Sequence, residues 1–515
     1  MVCAERGPAA PPSGSCMVLA SRRVSSSSAA RMEAAARRPV RRLRAGDASA
    51  GVSALRSRRD SDAPLRVPAW LPPPVVWRPH LVASRQRSPV PAPCHPATPG
   101  THPGEETGMD RYARGPFNVG YERRVDLAAL RAKRIAKAQE ERRKAGLDAL
   151  LVWKDENQRY LTDLRPQLIT GKTTALNGAL LIEGRAPILF CSGGERDRVD
   201  LTMPWIEEVH TIPIIEEVAL VDGMVRDILG PVLRRHGLAD AKLGLDEANM
   251  VFVKALARHF PKLSIEDGDT PMLAARMIKL PEEIALLEEA TAIADAVTAS
   301  ATAAVADGVR ECEVAGEAMR TLFRLGGEYS HVMTPFVASG EHMAPPNRIC
   351  GDKLIRHGDI VFIDIGAAFG GYFGDVARAV ICGRPSDEQR RIFTAVHAGL
   401  MAGIAEMRPG RTNKDCADAI VRSAGQYGLD GRFLSLFIGH GVGIGANEPP
   451  YIGETLPGAP TYEFRPGMVF AVEPLVWVPG VRGGGGVRLE DMVLVTEDGP
   501  HVLSRAPYDE RLLLD

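Results

Sequence analysis

The chain is expected to fold as an α/β domain followed by an α+β domain whose strands carry isolated acids. From about residue 125, short apolar runs alternate with segments of helical period, the signature of helices layered on a sheet. Beyond about residue 330, long apolar runs separated by Gly-rich turns take over, and they hold Asp364, Asp375, His440, Glu473 and Glu490. With 515 residues, 45% of them hydrophobic, there is material for two or three domains with real cores.

Residues 1–108 stand apart. They hold 16 of the 39 prolines, 16 Arg, no Lys and 7 acids, with no sustained apolar period. Such a stretch cannot bury enough surface to offset chain entropy, so it is expected to be disordered. Arg and Ser with few acids also suit a transit peptide or a native tail. The complete lack of Lys beside Arg, Ala, Pro and Gly fits upstream GC-rich sequence read as protein, with Met109 as the start.

In the first domain, 125–268, VDLAALRAKRIAKAQEERRKAGL spaces Leu, Ile and Ala as a helix with a charged opposite face. A Gly stops it and DALLVW reads as the first strand. ALLIEGRAPILFC gives two strands about a Glu-Gly turn, KLGLDE a short strand and VFVKALARHF a helix. No group of its residues forms a chemical constellation, so a lid or an oligomerisation surface is expected. EERR at 140–143 is expected to be a solvated helix face.

The second domain, 275–508, is entered through RMIKLPEEIALLEEATAIADAVTASATAAVADG. Pro281 in a first turn, with Glu282 and Glu283 near the positive end of the dipole, starts a long helix. CEVAGEAMRTLFRLGG supplies a second helix, and two more lie at about 386–406 and 413–427. The strands are TPFVASG, DIVFIDIGAAFGGYFGDVARAVI, MVFAVEPLVWV and VRLEDMVLVTEDG.

Charge and cysteine usage narrow the function. Removing the N-terminal stretch from totals of 63 basic and 64 acidic residues leaves 47 and 57, so the body is acidic. That argues against a nucleic-acid partner. The eight cysteines form no CxxC pair and read as buried thiols in a reducing compartment, which places the protein in the cytoplasm. With no run of 18 apolar residues, no membrane helix is expected.

Asp364, in IVFIDIG, is a charge inside an apolar strand, which is costly unless it is paired or bound to a metal. The glycines of AAFGGYFG let a hairpin bring Asp375 to the same mouth. Glu473 in AVEP and Glu490 in RLED repeat the pattern of an acid within a strand. His440 lies between glycines, where backbone can approach a ligand closely. Four carboxylates and one imidazole exceed what one zinc needs and suit two divalent ions with water between them. They point to hydrolysis by metal-activated hydroxide.

The ordered set Asp, Asp, His, Glu, Glu resembles the family of aminopeptidase P, prolidase, methionine aminopeptidase and creatinase. RMIKLPEEIALLEEA, FVASG, DIVFIDIGAAFGGYFGDVAR, GHGVG, NEPP and RLEDMVLVTEDG follow in register. The resemblance covers roughly 125–515. It implies a creatinase-like N-terminal α/β domain and an α+β catalytic domain of the pita-bread fold, commonly as a homodimer. It implies that Asp364 ligates the first ion, that His440 and Glu473 mainly serve one ion each, and that Asp375 and Glu490 bridge. Glu473 would also handle the proton of the attacking water. A nearly all-oxygen set favours Mn²⁺, with Co²⁺ or Zn²⁺ as alternatives. Arg488, two residues before Glu490, is expected to form a salt bridge to the ligand acids.

The chain also departs from the peptidase pattern. Asn347 and Asn447 stand where relatives usually carry His, and Leu436 replaces a third. Asn can donate or accept a hydrogen bond but cannot titrate near neutral pH. His342, five residues before Asn347, is expected to be an ordinary loop His, with compensation as the alternative. Three readings follow. The first is a hydrolase of amide C–N bonds resembling Xaa-Pro peptidases, acting on a small peptide or small-molecule amide, with Glu473, Asn347 and Asn447 as its catalytic residues. The second is a metal-dependent hydrolase or lyase of a small non-peptide metabolite, and the third a silent binding protein. GHGVGIG lacks the spacing and context of a dinucleotide loop, and GGGG at 483–486 is expected to be a flexible hairpin tip near the site.

Overall fold

The computed structural model describes residues 124–165, 174–213, 218–328, 335–343, 349–432, 438–453 and 460–514. The stretch 1–108, Met109, Asn347 and Leu436 lie outside them.

The first domain follows the expected alternation. Asp126 caps α1 (Leu127–Lys144) by accepting from Ala129 N at 3.0 Å, and Arg142, Arg143 and Lys144 sit at the negative end of its dipole. Then come β1 (Ala149–Lys154), α2 (Asp155–Thr162), β2 (Thr174–Ile182), β3 (Ile188–Cys191), α3 (Gly193–Thr202) and β4 (Val209–Thr211). A helical stretch runs through α4 (Val218–Met224), a π turn and α5 (Gly230–Arg235). It is followed by β5 (Lys242–Leu245), α6 (Met250–His259), β6 (Ser264–Asp267) and α7 (Asp269–Met277). The six strands order as β4-β3-β2-β1-β5-β6. The period of two sorts β1 between two cores. Leu150 and Val152 face a layer that includes Leu130, Met272 and Leu286, while Ala149, Leu151 and Trp153 face one that includes Val225, Phe252 and Leu256.

EERR at 140–143 is not wholly solvated. Arg142 is buried, donating to Asp148 O at 3.1 Å and Gln139 Oε1 at 2.9 Å and pairing with Glu183. The chain turns back directly under the helix end, and its carbonyls need a donor there.

The second domain opens with α8 (Pro281–Ala303) and α9 (Glu311–Arg324), then β7 (Phe336–Ser339), β8 (Ile360–Phe369) and β9 (Tyr372–Ile381). β8 and β9 form an antiparallel hairpin closed by Gly370 and Gly371, whose φ values of 57° and 86° suit a two-residue turn. Every residue of β8 is buried. Two helices follow, α10 (Asp387–Ala405) and α11 (Asn413–Gly425). Ser386 and Gln389 cap α10 reciprocally.

The remaining strands are β10 (Gly439–Gly441), β11 (Glu448–Ile452), β12 (Val469–Val472), β13 (Leu475–Trp477), β14 (Gly486–Arg488), β15 (Asp491–Thr496) and β16 (Gly499–Val502). Five form a sheet in the order β11-β10-β12-β15-β16, while β13 and β14 make a separate pair. GGGG at 483–486 is packed rather than a flexible tip. Gly483 O accepts from Ile360 N at 2.8 Å and from Gln389 Nε2 at 3.0 Å, and Gly484, Gly485 and Gly486 are buried.

Buried polar contacts join the first domain to the β8–β9 hairpin. Arg134 of α1 donates to the Tyr372 hydroxyl at 2.7 Å and to Asp163 at 2.9 Å. Tyr372 in turn donates to Glu283 at 2.8 Å, and Glu283 accepts from Leu280 N at 2.8 Å. Arg159 of α2 pairs with buried Glu328 at 2.9 Å. Removing the Tyr372 hydroxyl leaves Arg134 and Glu283 short of a partner. We expect Tyr372→Phe to cost about 1–3 kcal/mol, read as a lower urea midpoint at unchanged slope. An unchanged midpoint would show the bridge to be dispensable.

Candidate metal centre

The β8–β9 register sets two acids side by side. Asp364 lies opposite Ala377, and Asp375 lies opposite Gly366, two positions along the same ladder. With a side-chain period of two, both point to one face. His440 sits at the middle of β10, paired with Ala471 on β12 and Tyr451 on β11.

Glu473 and Glu490 correct the expectation of acids within strands, because both sit at breaks. Glu473 follows β12 and Glu490 precedes β15, where the chain crosses between the five-stranded sheet and the β13–β14 pair. Val472 pairs with Asp491 and Leu475 with Arg488, so the two ladders flank the same gap. The break turns both glutamates toward the hairpin. Glu490 N donates to Ala377 O at 3.0 Å and Glu473 N to Ile438 O at 2.8 Å, so each corner is tied to a neighbouring strand.

All five groups are buried: Asp364 and Asp375 at 5% exposure, His440 at 2%, Glu473 at 3% and Glu490 at 1%. Asp375, His440 and Glu490 each offer a ligand atom, and these atoms lie within 4.8 Å of one another. His440 Nε2 is 3.8 Å from Asp375 Oδ2 and 3.3 Å from Glu473 Oε1. Its Nδ1 lies 3.0 Å from Gly441 O. With a carbonyl as partner, Nδ1 is the donor in that contact, and Nε2 is turned toward the acids. Arg488 Nη1 bridges Asp364 Oδ2 at 3.2 Å and Glu473 Oε2 at 2.7 Å, the salt bridge expected from its place in the sequence.

The electrostatics are those of a cation site. Burial pushes the Asp375 carboxyl well above the usual range, and Asp364 and Glu473 add to the push. Glu490 is raised in the same way, first by burial and then by Asp375, Asp364 and Glu473. Burial opposes the charge on Arg488, yet Glu473, Asp364 and Glu490 outweigh it and raise its affinity for the proton. Asp375 Oδ1 and Glu490 Oε2 are buried without a hydrogen-bond partner. Orphaned carboxylate oxygens in a surplus of buried negative charge fit divalent cations with oxygen ligands.

Other predicted residues fare differently. Asn447 is exposed, on the loop between β10 and β11. His342, expected in a loop, instead ends a 3₁₀ turn (Gly340–His342) and is half-buried, with Nδ1 3.2 Å from Glu311 Oε1. That contact engages it with Glu311.

Three supports went unnoticed in the sequence. Glu311, wholly buried, accepts from Ser339 N at 2.7 Å and Ser339 Oγ at 2.8 Å, fixing the end of β7. Arg378 donates to Glu490 O at 2.6 Å and to Asp491 at 2.8 Å, bracing the corner behind Glu490. Glu448 is buried between Lys279 and Arg276. Arg378 had a readable signal, a charge in the apolar run DVARAVI. Glu448 lies in NEPP, a segment read only for its resemblance, and Glu311 had no signal, since the partners of both are distant in the chain.

The metallopeptidase family M24 model matches residues 285–497, and the creatinase/prolidase N-terminal domain model matches 134–278. An uncharacterized peptidase of Bacillus subtilis, YqhT, is 36% identical over 369 residues, covering 71% of this chain and 95% of that protein. An Xaa-Pro dipeptidase of Pyrococcus horikoshii is 29% identical over 366 residues, 70% of this chain and 94% of that one. The crystal structure of the prolidase from Pyrococcus horikoshii superposes with a TM-score of 0.60 at 25% identity, covering 73% of this chain and 99% of that chain.

Two outcomes test the centre. Asp375→Ala or Glu490→Ala should abolish Mn²⁺ loading in titration calorimetry, and full loading of either would remove that residue from the site. The second outcome concerns pH. In the metal-free fold Asp375 and Glu490 keep protons that the unfolded chain gives up near pH ~4. The native state therefore binds more protons, and metal-free stability should fall as pH rises above that value. Melting in a chelator from weakly acidic to weakly basic pH should show the decline, and Asp375→Asn should flatten it. Equal slopes for the two proteins would contradict the electrostatics.

Proposed function

Because the chain belongs to metallopeptidase family M24 and carries a creatinase/prolidase N-terminal domain, we propose that it is an Xaa-Pro dipeptidase or aminopeptidase working with two divalent ions. The observation that carries this reading is the convergence of Asp364, Asp375, His440, Glu473 and Glu490 in one buried pocket, with Arg488 as their cationic neighbour. The proposed substrate is a small peptide or another small amide, and Mn²⁺ the ion, with Co²⁺ or Zn²⁺ as alternatives. The protein is proposed to be a cytoplasmic homodimer. The free thiols of Cys191, Cys382 and Cys416, all buried, fit a reducing compartment.

Asp375, His440 and Glu490 would hold the ions together with Asp364 and Glu473. Divalent ions bound there would supply Lewis acidity toward the substrate carbonyl and toward water. The protein's own residues do the rest. Glu473 has one oxygen on Arg488, and its other oxygen, 3.3 Å from His440 Nε2, faces the pocket. From there it takes the proton of the attacking water and returns it to the leaving nitrogen, so water and amide become acid and amine. Asn347 and Asn447 would hydrogen-bond the substrate in place of imidazoles, orienting it without exchanging protons.

That replacement also favours a second reading, a hydrolase or lyase of a small non-peptide metabolite on the same cage. The Mn²⁺-loaded protein should therefore be assayed against Xaa-Pro dipeptides beside a metabolite library. We expect Xaa-Pro cleavage, and a gain when His is restored by Asn347→His with Asn447→His. Turnover of a metabolite alone, with no gain from the double variant, would move the assignment to the second reading.

A further inference from the structure

Glu448 stands outside the cage, yet the loop beside the cage is built upon it. Its side chain is 2% exposed and makes two ionic contacts, with Lys279 Nζ at 2.9 Å and Arg276 Nε at 3.3 Å. Both cations are themselves buried. They come from the segment that joins the two domains. Arg276 lies on α7 and donates to Asn157 Oδ1 at 2.7 Å, and Lys279 N donates to Gly467 O at 2.8 Å. Asn157 in turn donates to Asp246 at 2.9 Å. Glu448 is thus the catalytic-domain end of a buried polar chain rooted in the first domain.

The loop from Val442 to Asn447 runs directly over this carboxylate. A Cβ on Gly443 would stand 2.6 Å from Glu448 Oε1, and one on Gly445 would stand 2.8 Å from Oε2. A side chain at either position would displace the buried Glu448 carboxylate, so the absence of a Cβ lets the loop lie against it. The loop's backbone bonds are Val442 N to Val469 O, Gly443 N to Gly445 O, and Phe373 N to Gly443 O, each at 3.0 Å, and Val442 and Ile444 are buried in the apolar core. His440 is held by the β10–β12 ladder and Asp375 by the ten-pair β8–β9 ladder, whereas the β10–β11 register shifts between His440 and Gly441, where the loop begins. If the support moves, the loop shifts and Asn447 with it, while His440 and Asp375 stay in their ladders.

We propose that Glu448, clamped by Lys279 and Arg276, is a positioning residue that sets the path of the Val442–Asn447 loop and so the place of Asn447 relative to His440. The inference rests on the reading of the cage as a peptidase site only in what Asn447 then contacts. Burying three charges is expensive, and a neutral apolar packing would serve stability as well or better. Here the charges supply a rigid, directional seat. They also couple the first domain to the loop.

Two variants separate charge from reach. Glu448→Gln keeps the size and loses the charge, while Glu448→Asp keeps the charge and withdraws it by one methylene. In the full-length, Mn²⁺-loaded protein, both should raise KM for the preferred Xaa-Pro dipeptide by about tenfold, with kcat and Mn²⁺ affinity held within about threefold. Without substrate, hydrogen exchange at the Gly443 and Phe373 amides should quicken in both variants, while the β1–β2 ladder stays protected. If Glu448→Gln does not fold, Lys279→Met supplies the same reading. Wild-type exchange and KM in folded Glu448→Gln and Glu448→Asp would overturn the proposal, as would exchange that rises equally across both domains. A wild type that cleaves no Xaa-Pro dipeptide would sink the peptidase reading and leave the exchange measurement to decide this one.

Discussion

Four carboxylates enclosed together, with one guanidinium and one imidazole among them, are the constraint on which the architecture depends. Each acid would be costly to bury alone, and together they repel. The fold nevertheless holds Asp364, Asp375, Glu473 and Glu490 at 1–5% exposure. Something rigid must therefore hold them against their mutual repulsion. Arg488 offsets part of it through Asp364 and Glu473, but it leaves Asp375 and Glu490 raised and partly unsatisfied. The surplus negative charge is the affinity of the site for cations. A bound divalent cation would offset that repulsion.

Rigidity comes from backbone. The β8–β9 hairpin carries two acids on a ten-pair ladder, so neither can retreat without breaking it. Glu473 and Glu490 sit where two strands leave one sheet for another, and such corners are fixed by ladders on both sides. Behind them, Arg378 gathers the carbonyls of Ala377, Glu490 and Ala506 and the Asp491 carboxylate into one buried cluster. Chemistry in such a site comes from preorganised charge rather than from motion.

The first domain adds support without adding ligands. Among the described residues it offers no cluster of metal-binding groups, yet its helices share a continuous apolar core with α8 and the hairpin. Arg134 and Arg159 reach across to Tyr372 and Glu328, and Arg276 and Lys279 reach Glu448. These contacts end on the hairpin, just beyond α9 and at the start of β11, which pairs with the strand bearing His440. The domain expected to be a lid or an oligomerisation surface is, in these contacts, a brace.

Local pattern made much of this legible. The acids set in apolar runs at IVFIDIG, AVEP and RLED, the Gly-Gly turn between Asp364 and Asp375, and the first turn of α8 are all short-range features, and short-range chemistry is what a sequence records directly. The expectations that failed were of another kind. EERR reads as solvated until the chain returns beneath Arg142. GGGG reads as flexible until Ile360 and Gln389 are seen to bind it. Glu473 and Glu490 read as strand residues until the sheets are seen to part around them. By itself the sequence determined which side chains could cage a cation and in what order they occur, because ligand chemistry is a property of residue type and local burial. Only the tertiary structure decided that they meet and what holds the loop bearing Asn447, because those depend on contacts between strands and segments far apart in the chain, such as Asp375 with Glu490 and Glu448 with Lys279.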